Sequence, residues 1–406
     1  MTVRSSRVRA GWGVLVASAL LVSVACGSDV SPDISVTDTE TTTTTPPVEN
    51  SAQRGVVFDS QPFTSTAEVA ASGASAVKIL YGSTSGIDGR ETQVSGTVFT
   101  PPGTPPEGGW PIVSIGHGTT GISDDCAPST SPTLFGTIGL VAPFLDSGYV
   151  VAVSDFEGLG TPDPHPYLQP DTAAFNVIDA VRAARNVVPD TSTRWATLGL
   201  SQGGQASWAA AEEAETYGDG LEFVGAANLS PAADISPIIS SDSEVNLSLP
   251  QQLLLPYVLE GLSLTHPELE RTDYVRGAFE QNYELLTSCL TSRATEKLGL
   301  VGKVTPADTR PATAEDADRI HAWLSDVALP RQRASGPMYV VVGTNDNLIR
   351  PEWTEAAVER ACADGDVIEF HARPGEGHAD GAAVPGAVAW VKDRFAGVPA
   401  PNTCGS

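Results

Sequence analysis

The chain has 406 residues, of which 41% are hydrophobic, and its formal net charge is −26. This length and composition suit a globular protein with one large domain or two ordinary ones. The strong negative charge argues against nucleic acid or an anionic membrane surface as the main binding partner, because like charges repel.

The first 25 residues have the pattern of an export signal. A basic start with Arg4, Arg7 and Arg9 precedes the apolar stretch 14–24, which is too short for a membrane span. Small residues come directly before Cys26. This pattern resembles the lipobox of bacterial lipoproteins, and the resemblance implies cleavage before Cys26 and lipid attachment to its thiol. An ordinary signal peptide is the alternative. The sequence therefore predicts an exported protein, either lipid-anchored at the outer face of the cell membrane or secreted.

From about residue 75, short apolar segments alternate with helical ones, which predicts an α/β fold with a mostly parallel central sheet and helices on both faces. The stretches 76–80 and 93–99 look like a hairpin at the sheet edge. Further strands are predicted at 111–115, 150–153, 195–198, 223–227, 338–342 and 367–370. Helices are predicted over 172–188, 205–215, 351–363 and 382–395.

The alternation breaks between about residues 230 and 336, where helical segments occur around 251–264, 274–297 and 314–329 and no strand is convincing. Because the sheet resumes directly afterwards, we interpret this stretch as an inserted helical cap rather than a separate helical domain. The predicted organisation is a signal peptide (1–25), a disordered Thr/Pro/Ser tether (26–54), a first part of the core (55–230), a cap or lid (231–336) and a second part of the core (337–406).

Cysteine usage fits export. The chain has five cysteines, and four are left when Cys26 is set aside. An even number in an exported chain predicts two disulfides, for which four cysteines allow three pairings. The C-x-x-C spacing of zinc and redox sites is not present in the sequence. The four are Cys126, Cys289, Cys362 and Cys404.

The segment 199–203 fits the pattern G-x-S-x-G, with Ser201 at its centre. It lies between a predicted buried strand and a predicted helix rich in Ala and Glu. This is the setting of a nucleophile elbow, the turn that presents the catalytic serine of an α/β-hydrolase. A glycine-rich turn with a capping serine is the alternative.

A nucleophilic serine needs a histidine base and a carboxylate that orients it, which in this fold follow the serine in the order acid, then histidine. Asp346 follows the strand 338–342, with Asp234 as second choice for the acid. His378 lies in the loop after the last predicted strand. His371 continues that strand and is expected to point into or across the sheet.

The oxyanion of an acyl-transfer intermediate needs two N–H donors. The residue after the nucleophile, Gln202, is one predicted donor, and Thr119 or Thr120 in the glycine-rich loop 116–121 is the other. The sequence contains no H-E-x-x-H motif, phosphate loop or dinucleotide fingerprint, so we predict neither a metal nor a cofactor.

Six further motifs accompany these candidate residues: 116–121 (GHGTTG), 125–129 (DCAPS), 148–151 (GYVV), 154–160 (SDFEGLG), 165–168 (HPYL) and 182–185 (RAAR). Together they resemble the secretory lipase family, the lipase A type of fungi and actinobacteria. Ser201, Asp346 and His378 fall where that family keeps its catalytic triad, and the resemblance extends over about residues 75–400.

The resemblance implies several properties. The helical insert would be a lid over an acyl-binding tunnel, and the disulfides would be Cys126–Cys289 and Cys362–Cys404. The activity would be ester hydrolysis, often of triacylglycerols, without a cofactor. Some family members carry an acidic residue in the oxyanion loop, where this chain has threonines.

We therefore predict a serine carboxylic ester hydrolase, a triacylglycerol lipase or lipase-like esterase that acts through an acyl-enzyme. Its predicted partners are an acyl ester or lipid substrate and, through the N-terminal anchor, a membrane; nucleic acid is not expected. A cell-envelope serine peptidase or acyltransferase with the same triad is the alternative. A non-catalytic envelope-binding protein is disfavoured, because a binding module need not keep all three residues.

Overall fold

The computed structural model describes residues 53–239 and 247–405. The predicted signal peptide, Cys26 and almost all of the predicted tether lie outside these residues. Within the described part, none of the helices is both long enough and apolar enough to span a membrane.

A nine-stranded sheet runs through the middle of the described chain, in the order β1-β2-β3-β5-β4-β6-β7-β8-β9. The first three strands and β5 pair antiparallel, and β4 to β9 are parallel to one another. The strands are β1 Val57–Pro62, β2 Ser75–Thr84, β3 Glu91–Thr100, β4 Trp110–Gly116, β5 Val150–Ser154, β6 Thr191–Leu200, β7 Glu222–Leu229, β8 Met338–Gly343 and β9 Ile368–Arg373.

Helices cover both faces of the sheet, because the interior strands are apolar on both sides. The helices are α1 Ala67–Ala71, α2 Ile138–Leu145, α3 Pro170–Val187, α4 Gln202–Tyr217, α5 Leu249–Ser263, α6 Gly277–Gln281, α7 Tyr283–Thr287, α8 Ala294–Leu298, α9 Ala314–Asp326, α10 Pro351–Ala363 and α11 Val384–Phe395. One apolar layer contains buried residues of α3, α4 and α10, and the layer on the opposite face contains buried residues of α2 and α11. This is the α/β-hydrolase architecture that the sequence predicts.

The chain between β7 and β8 contains α5 to α9, which we call the helical region. Its apolar side chains form a separate cluster with Tyr167, Leu168, Ile349 and Trp353 of the core. Most of its large apolar residues are therefore used for packing. The disulfide Cys126–Cys289 joins this region to the core, and the disulfide Cys362–Cys404 joins α10 to the C-terminal segment.

The structure corrects three details. The predicted helical segment 274–297 is three short helices, because the chain leaves the helical conformation at Asn282 and Ser288. The sequence pattern does not predict strand β1, helix α1 or helix α2. Strand β1 is mostly exposed, α1 has only five residues, and α2 carries Pro143 inside it, so none of the three has a clear pattern. His371 does not point into the sheet: it is exposed on β9, with Nε2 2.8 Å from a carboxylate oxygen of Glu369.

Candidate active site

Ser201 lies at the sharp turn between β6 and α4, with φ 57° and ψ −116°. This backbone conformation is strained for a residue with a side chain. The turn is possible because its neighbours are glycines: a Cβ at Gly199 would collide with the Gly203 backbone, and a Cβ at Gly203 with the Gly116 backbone. The strain is typical of a nucleophile elbow, as the sequence pattern predicts.

Strand register brings the other candidate residues to the same edge of the sheet. Gly116 at the end of β4 pairs with Gly199 of β6, so the glycine-rich loop after β4 begins beside the turn. Gly343 at the end of β8 pairs with Arg373 at the end of β9. The loops that carry Asp346 and His378 therefore leave the sheet side by side.

Ser201, His378 and Asp346 form one hydrogen-bonded chain. The Ser201 Oγ lies 2.9 Å from Nε2 of His378, and Nδ1 of His378 lies 2.6 Å from Oδ2 of Asp346. A carboxylate accepts hydrogen bonds, so Nδ1 carries the proton and Nε2 is free to accept one from Ser201. The imidazole is thereby held in the tautomer that a general base needs.

Asp346 is itself fixed by its own loop. It is 4% exposed, and its Oδ1 accepts hydrogen bonds from the backbone N–H groups of Leu348 (2.9 Å) and Ile349 (3.0 Å). One carboxylate oxygen is therefore bound to backbone while the other faces His378.

The second candidate for the acid, Asp234, is engaged elsewhere. Its Oδ2 accepts a hydrogen bond from the Arg360 guanidinium at 2.7 Å, and its Oδ1 accepts one from the backbone N–H of Ser236 at 3.0 Å. These contacts are those of an ion pair and a local turn, and the structure joins Asp346 rather than Asp234 to the histidine.

Two of the three predicted oxyanion residues border a cavity of about 550 Å³. Thr119 and Thr120 line it together with Leu200, which precedes the serine, and Ala379, which follows the histidine. Gln202 is the first residue of α4, so its backbone N–H is among those that a helix leaves without an intrahelical partner. The structure thus places Gln202 directly after Ser201, and Thr119 and Thr120 in the wall of a cavity that the residue before Ser201 also lines.

The glycine-rich loop is held from several directions. His117 is fully buried against the ring of Phe156, with a centroid distance of 4.6 Å, and its Nε2 lies 3.1 Å from the backbone oxygen of Asp155. The backbone oxygen of Thr120 accepts a hydrogen bond from Leu290 N–H of the helical region at 2.6 Å. The Cys126–Cys289 disulfide crosses at the same place, since a Cβ at Gly121 would collide with Cys126.

Asp155 is a buried carboxylate beside this loop. It accepts hydrogen bonds from the hydroxyl of Ser95 at 2.6 Å and the backbone N–H of Ser129 at 2.9 Å. Burial raises the pKa of Asp155, and the two serines and His117 oppose that rise by favouring the charged form. The carboxylate therefore ties β3 and the DCAPS segment to the end of β5.

Sequence reasoning missed the contributions of Asp155, His165 and Tyr167. All three lie in the segment after β5, and the motifs SDFEGLG and HPYL that contain them served only to support the family resemblance. No local pattern gives their contacts, because each reaches a residue distant in sequence. The position of HPYL shortly after β5, which ends at the same edge of the sheet as the other candidate loops, is the one signal that could have pointed to them.

The described residues include one group with the spacing of metal ligands, formed by Asp125, Cys126 and Cys289. Both sulfurs of that group are joined in the disulfide, so a single carboxylate remains for a metal ion.

Comparison with known proteins identifies the family. The model of the family described as "Secretory lipase" matches residues 129–403, which is more than half of the chain. The chain belongs to the secretory lipase family. Its membership supports a hydrolase of the lipase or esterase type and, with the disulfides, an exported protein.

Two curated relatives share 26% identity with this family member. "Probable inactive lipase MT1628" of Mycobacterium tuberculosis (strain CDC 1551 / Oshkosh) aligns over 344 residues, 80% of this chain and 74% of the relative. "Lipase A" of Arthroderma benhamiae aligns over 318 residues, 69% of this chain and 63% of the relative.

Solved structures support the fold. Candida antarctica lipase A in its closed state superposes with a TM-score of 0.68 at 18% identity, over 87% of this chain and 85% of that one. A rice cell wall degrading esterase, LipA of Xanthomonas oryzae, superposes in a ligand-bound form with a TM-score of 0.64 at 21% identity, over 85% and 97%. At these identities the similarity establishes the fold alone.

Proposed function

We propose that the protein hydrolyses carboxylic esters through an acyl-enzyme on Ser201. One observation carries this proposal: the hydrogen-bonded chain from Ser201 through His378 to the buried Asp346, at a cavity bordered by the oxyanion loop. The secretory lipase family supports the substrate class, an acyl ester of the triacylglycerol or simple alkyl type. No cofactor takes part in this chemistry.

The reaction has two steps. Ser201 Oγ attacks the ester carbonyl carbon while its proton passes to Nε2 of His378, and the developing oxyanion accepts hydrogen bonds from backbone N–H groups of Gln202 and of Thr119 or Thr120. The proton then moves to the leaving alcohol, and the acyl group remains on Oγ. Water, deprotonated by His378, attacks the acyl-enzyme, and the carboxylic acid leaves with Ser201 restored.

The cavity beside the triad supports an apolar substrate arm. Its wall includes side chains from the loop before α2, from α2 itself and from the start of α11, together with residues of the oxyanion loop and residues that follow His378. A volume of about 550 Å³ lies in the ordinary range of small-molecule sites. Its larger apolar side chains are Phe135, Leu140, Leu200, Val384 and Pro385.

The helical region is proposed as a lid over this site. It meets the oxyanion loop through the Leu290–Thr120 hydrogen bond and, in the segment just after that loop, is joined to the core by the Cys126–Cys289 disulfide. A movement of these helices would therefore act on the loop that binds the oxyanion.

The test is hydrolysis of p-nitrophenyl butyrate and p-nitrophenyl palmitate by the full-length purified protein, beside Ser201→Ala. Activity on both esters that disappears in the variant is the expected result. Activity on butyrate alone would indicate an esterase rather than a lipase. A folded protein that hydrolyses neither would contradict the proposal and favour the peptidase, acyltransferase or inactive-lipase alternatives.

The N-terminal region carries a separate proposal, that Cys26 is lipidated and that residues 26–54 form a tether. The lipobox-like sequence before Cys26 supports it. Mass spectrometry of the mature N-terminus tests it directly: a diacylglyceryl group on Cys26 is expected, and an unmodified start at Asp29 or later would refute the anchor.

A further inference from the structure

The segment 155–168, which follows β5, contacts both sides of the predicted oxyanion hole, and the mechanism above does not use it. We call this segment the β5 loop. His165 and Tyr167 in the loop are 4% and 5% exposed. One contacts the side chain of Gln202 and the other that of Thr119.

The contacts of His165 determine which of its ring nitrogens carries the proton. Nδ1 lies 2.6 Å from the backbone oxygen of Glu157, and Nε2 lies 2.9 Å from the side-chain nitrogen of Gln202. A carbonyl oxygen only accepts, so Nδ1 must carry the proton, and the Nε2 of a neutral ring is then an acceptor. Burial lowers the pKa of His165 to about 4, which keeps the ring neutral near pH 7. The Gln202 amide therefore donates to His165.

This hydrogen bond holds the far end of the Gln202 side chain. Gln202 is 2% exposed and follows the strained Ser201 directly. The peptide group between these two residues carries the N–H that is predicted to bind the oxyanion. Its orientation depends on rotations next to a strained residue, so a fixed side chain on Gln202 opposes its relaxation.

Tyr167 contacts the second predicted donor segment, the glycine-rich loop. Its hydroxyl lies 2.6 Å from Oγ1 of Thr119, and its ring meets the rings of His165 and Tyr257 edge-on or tilted, both with centroid distances of 6.0 Å. Thr119 is half-buried in a loop rich in glycine. A glycine-rich loop has little stiffness of its own, and a side-chain hydrogen bond restricts it.

We propose that His165 and Tyr167 are positioning residues, which hold Gln202 and Thr119 so that the backbone N–H groups on the two sides of Ser201 point at one oxyanion. The proposal rests on the proposed ester hydrolysis. It adds that one loop, through two side-chain contacts, positions both predicted donors of the hole.

Two variants of similar size separate this role from a structural one. In His165→Gln, the longer amide side chain can place its oxygen where Nε2 lies and so accept the hydrogen bond from Gln202. In His165→Asn, the shorter side chain reaches only the position of Nδ1, so the contact with Gln202 is lost. We expect His165→Asn to lower kcat by about tenfold to a hundredfold, less than or equal to the loss of an oxyanion donor itself. KM should change less than about twofold, because the oxyanion forms only in the transition state. His165→Gln should recover most of kcat.

A double-mutant cycle tests the path through Gln202. If His165 acts through the Gln202 side chain, His165→Asn has little further effect in a Gln202→Leu background. Equal losses in His165→Asn and His165→Gln, a change in KM alone, or full additivity with Gln202→Leu would overturn the proposal for His165.

Tyr167→Phe tests the other side, with Tyr217→Phe as its control. Both remove a buried hydroxyl, but that of Tyr217 donates to Asp179 in the core at 2.7 Å. We expect kcat to fall by several-fold in Tyr167→Phe and to stay unchanged in Tyr217→Phe. The reverse pattern, or equal effects, would overturn the proposal for Tyr167.

A measurement that does not depend on turnover tests the positioning proposal separately from the proposed ester hydrolysis. Nitrogen-15 NMR of the histidine rings should show His165, identified by its loss in His165→Asn, as the Nδ1–H tautomer. An Nε2–H tautomer would overturn the positioning proposal even in an active enzyme. A protein that hydrolyses no ester but has the Nδ1–H tautomer would overturn the proposed function and leave the contact in place.

Discussion

The two sides of Ser201 are held in different ways. On the oxyanion side, the glycine-rich loop and Gln202 are fixed by a disulfide, by the buried His117 and by the β5 loop. On the base side, His378 lies in the loop 374–380, in which every residue is exposed or half-buried, and its ring is held by Asp346.

The difference matches what each side must do. Oxyanion donors stabilise a transition state only if they are already in place, so rigidity on that side contributes to the rate. The imidazole must serve first Ser201 and then the leaving alcohol or water, so it needs a fixed tautomer and some freedom of movement. The structure thus combines tightly held candidate oxyanion donors with a candidate base that a single carboxylate holds.

Loss of the carboxylate should produce the largest effect on the base side. Asp346→Asn should lower kcat by about 10⁴-fold, as for the equivalent change in serine proteases, because an amide in that place favours the wrong tautomer of His378. Asp234→Asn is the matched control and should change kcat by less than about threefold, since Asp234 pairs with Arg360 instead. Steady-state kinetics with one short ester measures both, and a comparable loss in the two variants would refute the assignment of the acid.

On the oxyanion side, the disulfide Cys126–Cys289 offers the next largest effect. Replacing both cysteines by serine should lower the free energy of unfolding by about 2–5 kcal/mol and also lower kcat, because the oxyanion loop loses its tie to the helical region.

The disulfide Cys362–Cys404 serves as the control for that variant. It joins α10 to the C-terminal segment, so its loss should reduce stability and leave kcat within about twofold. Denaturant unfolding and kcat are measured for both variants. An equal kcat in the two would show that the oxyanion loop keeps its geometry without the Cys126–Cys289 disulfide.

The smallest predicted effect concerns the pH dependence of stability within the β5 loop. Burial raises the pKa of Glu157 to about 7, although Arg90 pairs with its carboxylate at 2.7 Å and opposes the rise. The folded protein therefore binds this proton more tightly than the unfolded chain. The resulting stabilisation is complete below about pH 4.5 and is lost as the pH rises through about 7.

Glu157→Gln should remove this component, on the order of 3 kcal/mol, from the unfolding free energy measured between pH 4.5 and 8. It should leave kcat nearly unchanged, because His165 contacts the backbone oxygen of Glu157 and not its carboxylate. A wild-type stability that rises over this pH range relative to the variant would contradict the raised pKa of Glu157.

The sequence predicts the parts of this molecule that local pattern encodes. Short apolar segments mark the interior strands, and G-x-S-x-G between a strand and a helix marks the turn at Ser201. The positions of Asp346 and His378 follow from the rule that loops at the carboxyl ends of parallel strands meet.

The contacts of the β5 loop could not be predicted in that way. His165 and Gln202 are 37 residues apart, and Thr119 and Tyr167 are 48 apart. Such pairs depend on how loops fold over the sheet edge, which no periodicity describes. The breaks within the predicted helical segment 274–297 could not be predicted for a related reason, since a helical composition does not show that the chain leaves the helical conformation at Asn282 and Ser288.

The most direct test of the central claim is to trap the acyl group. The full-length protein is mixed with p-nitrophenyl butyrate, quenched in acid during turnover, digested and mapped by mass spectrometry, beside Ser201→Ala. A butyryl group on the peptide that contains Ser201, absent from the variant, is the predicted result. Hydrolysis that persists in Ser201→Ala, or a butyryl group on another residue, would contradict the account.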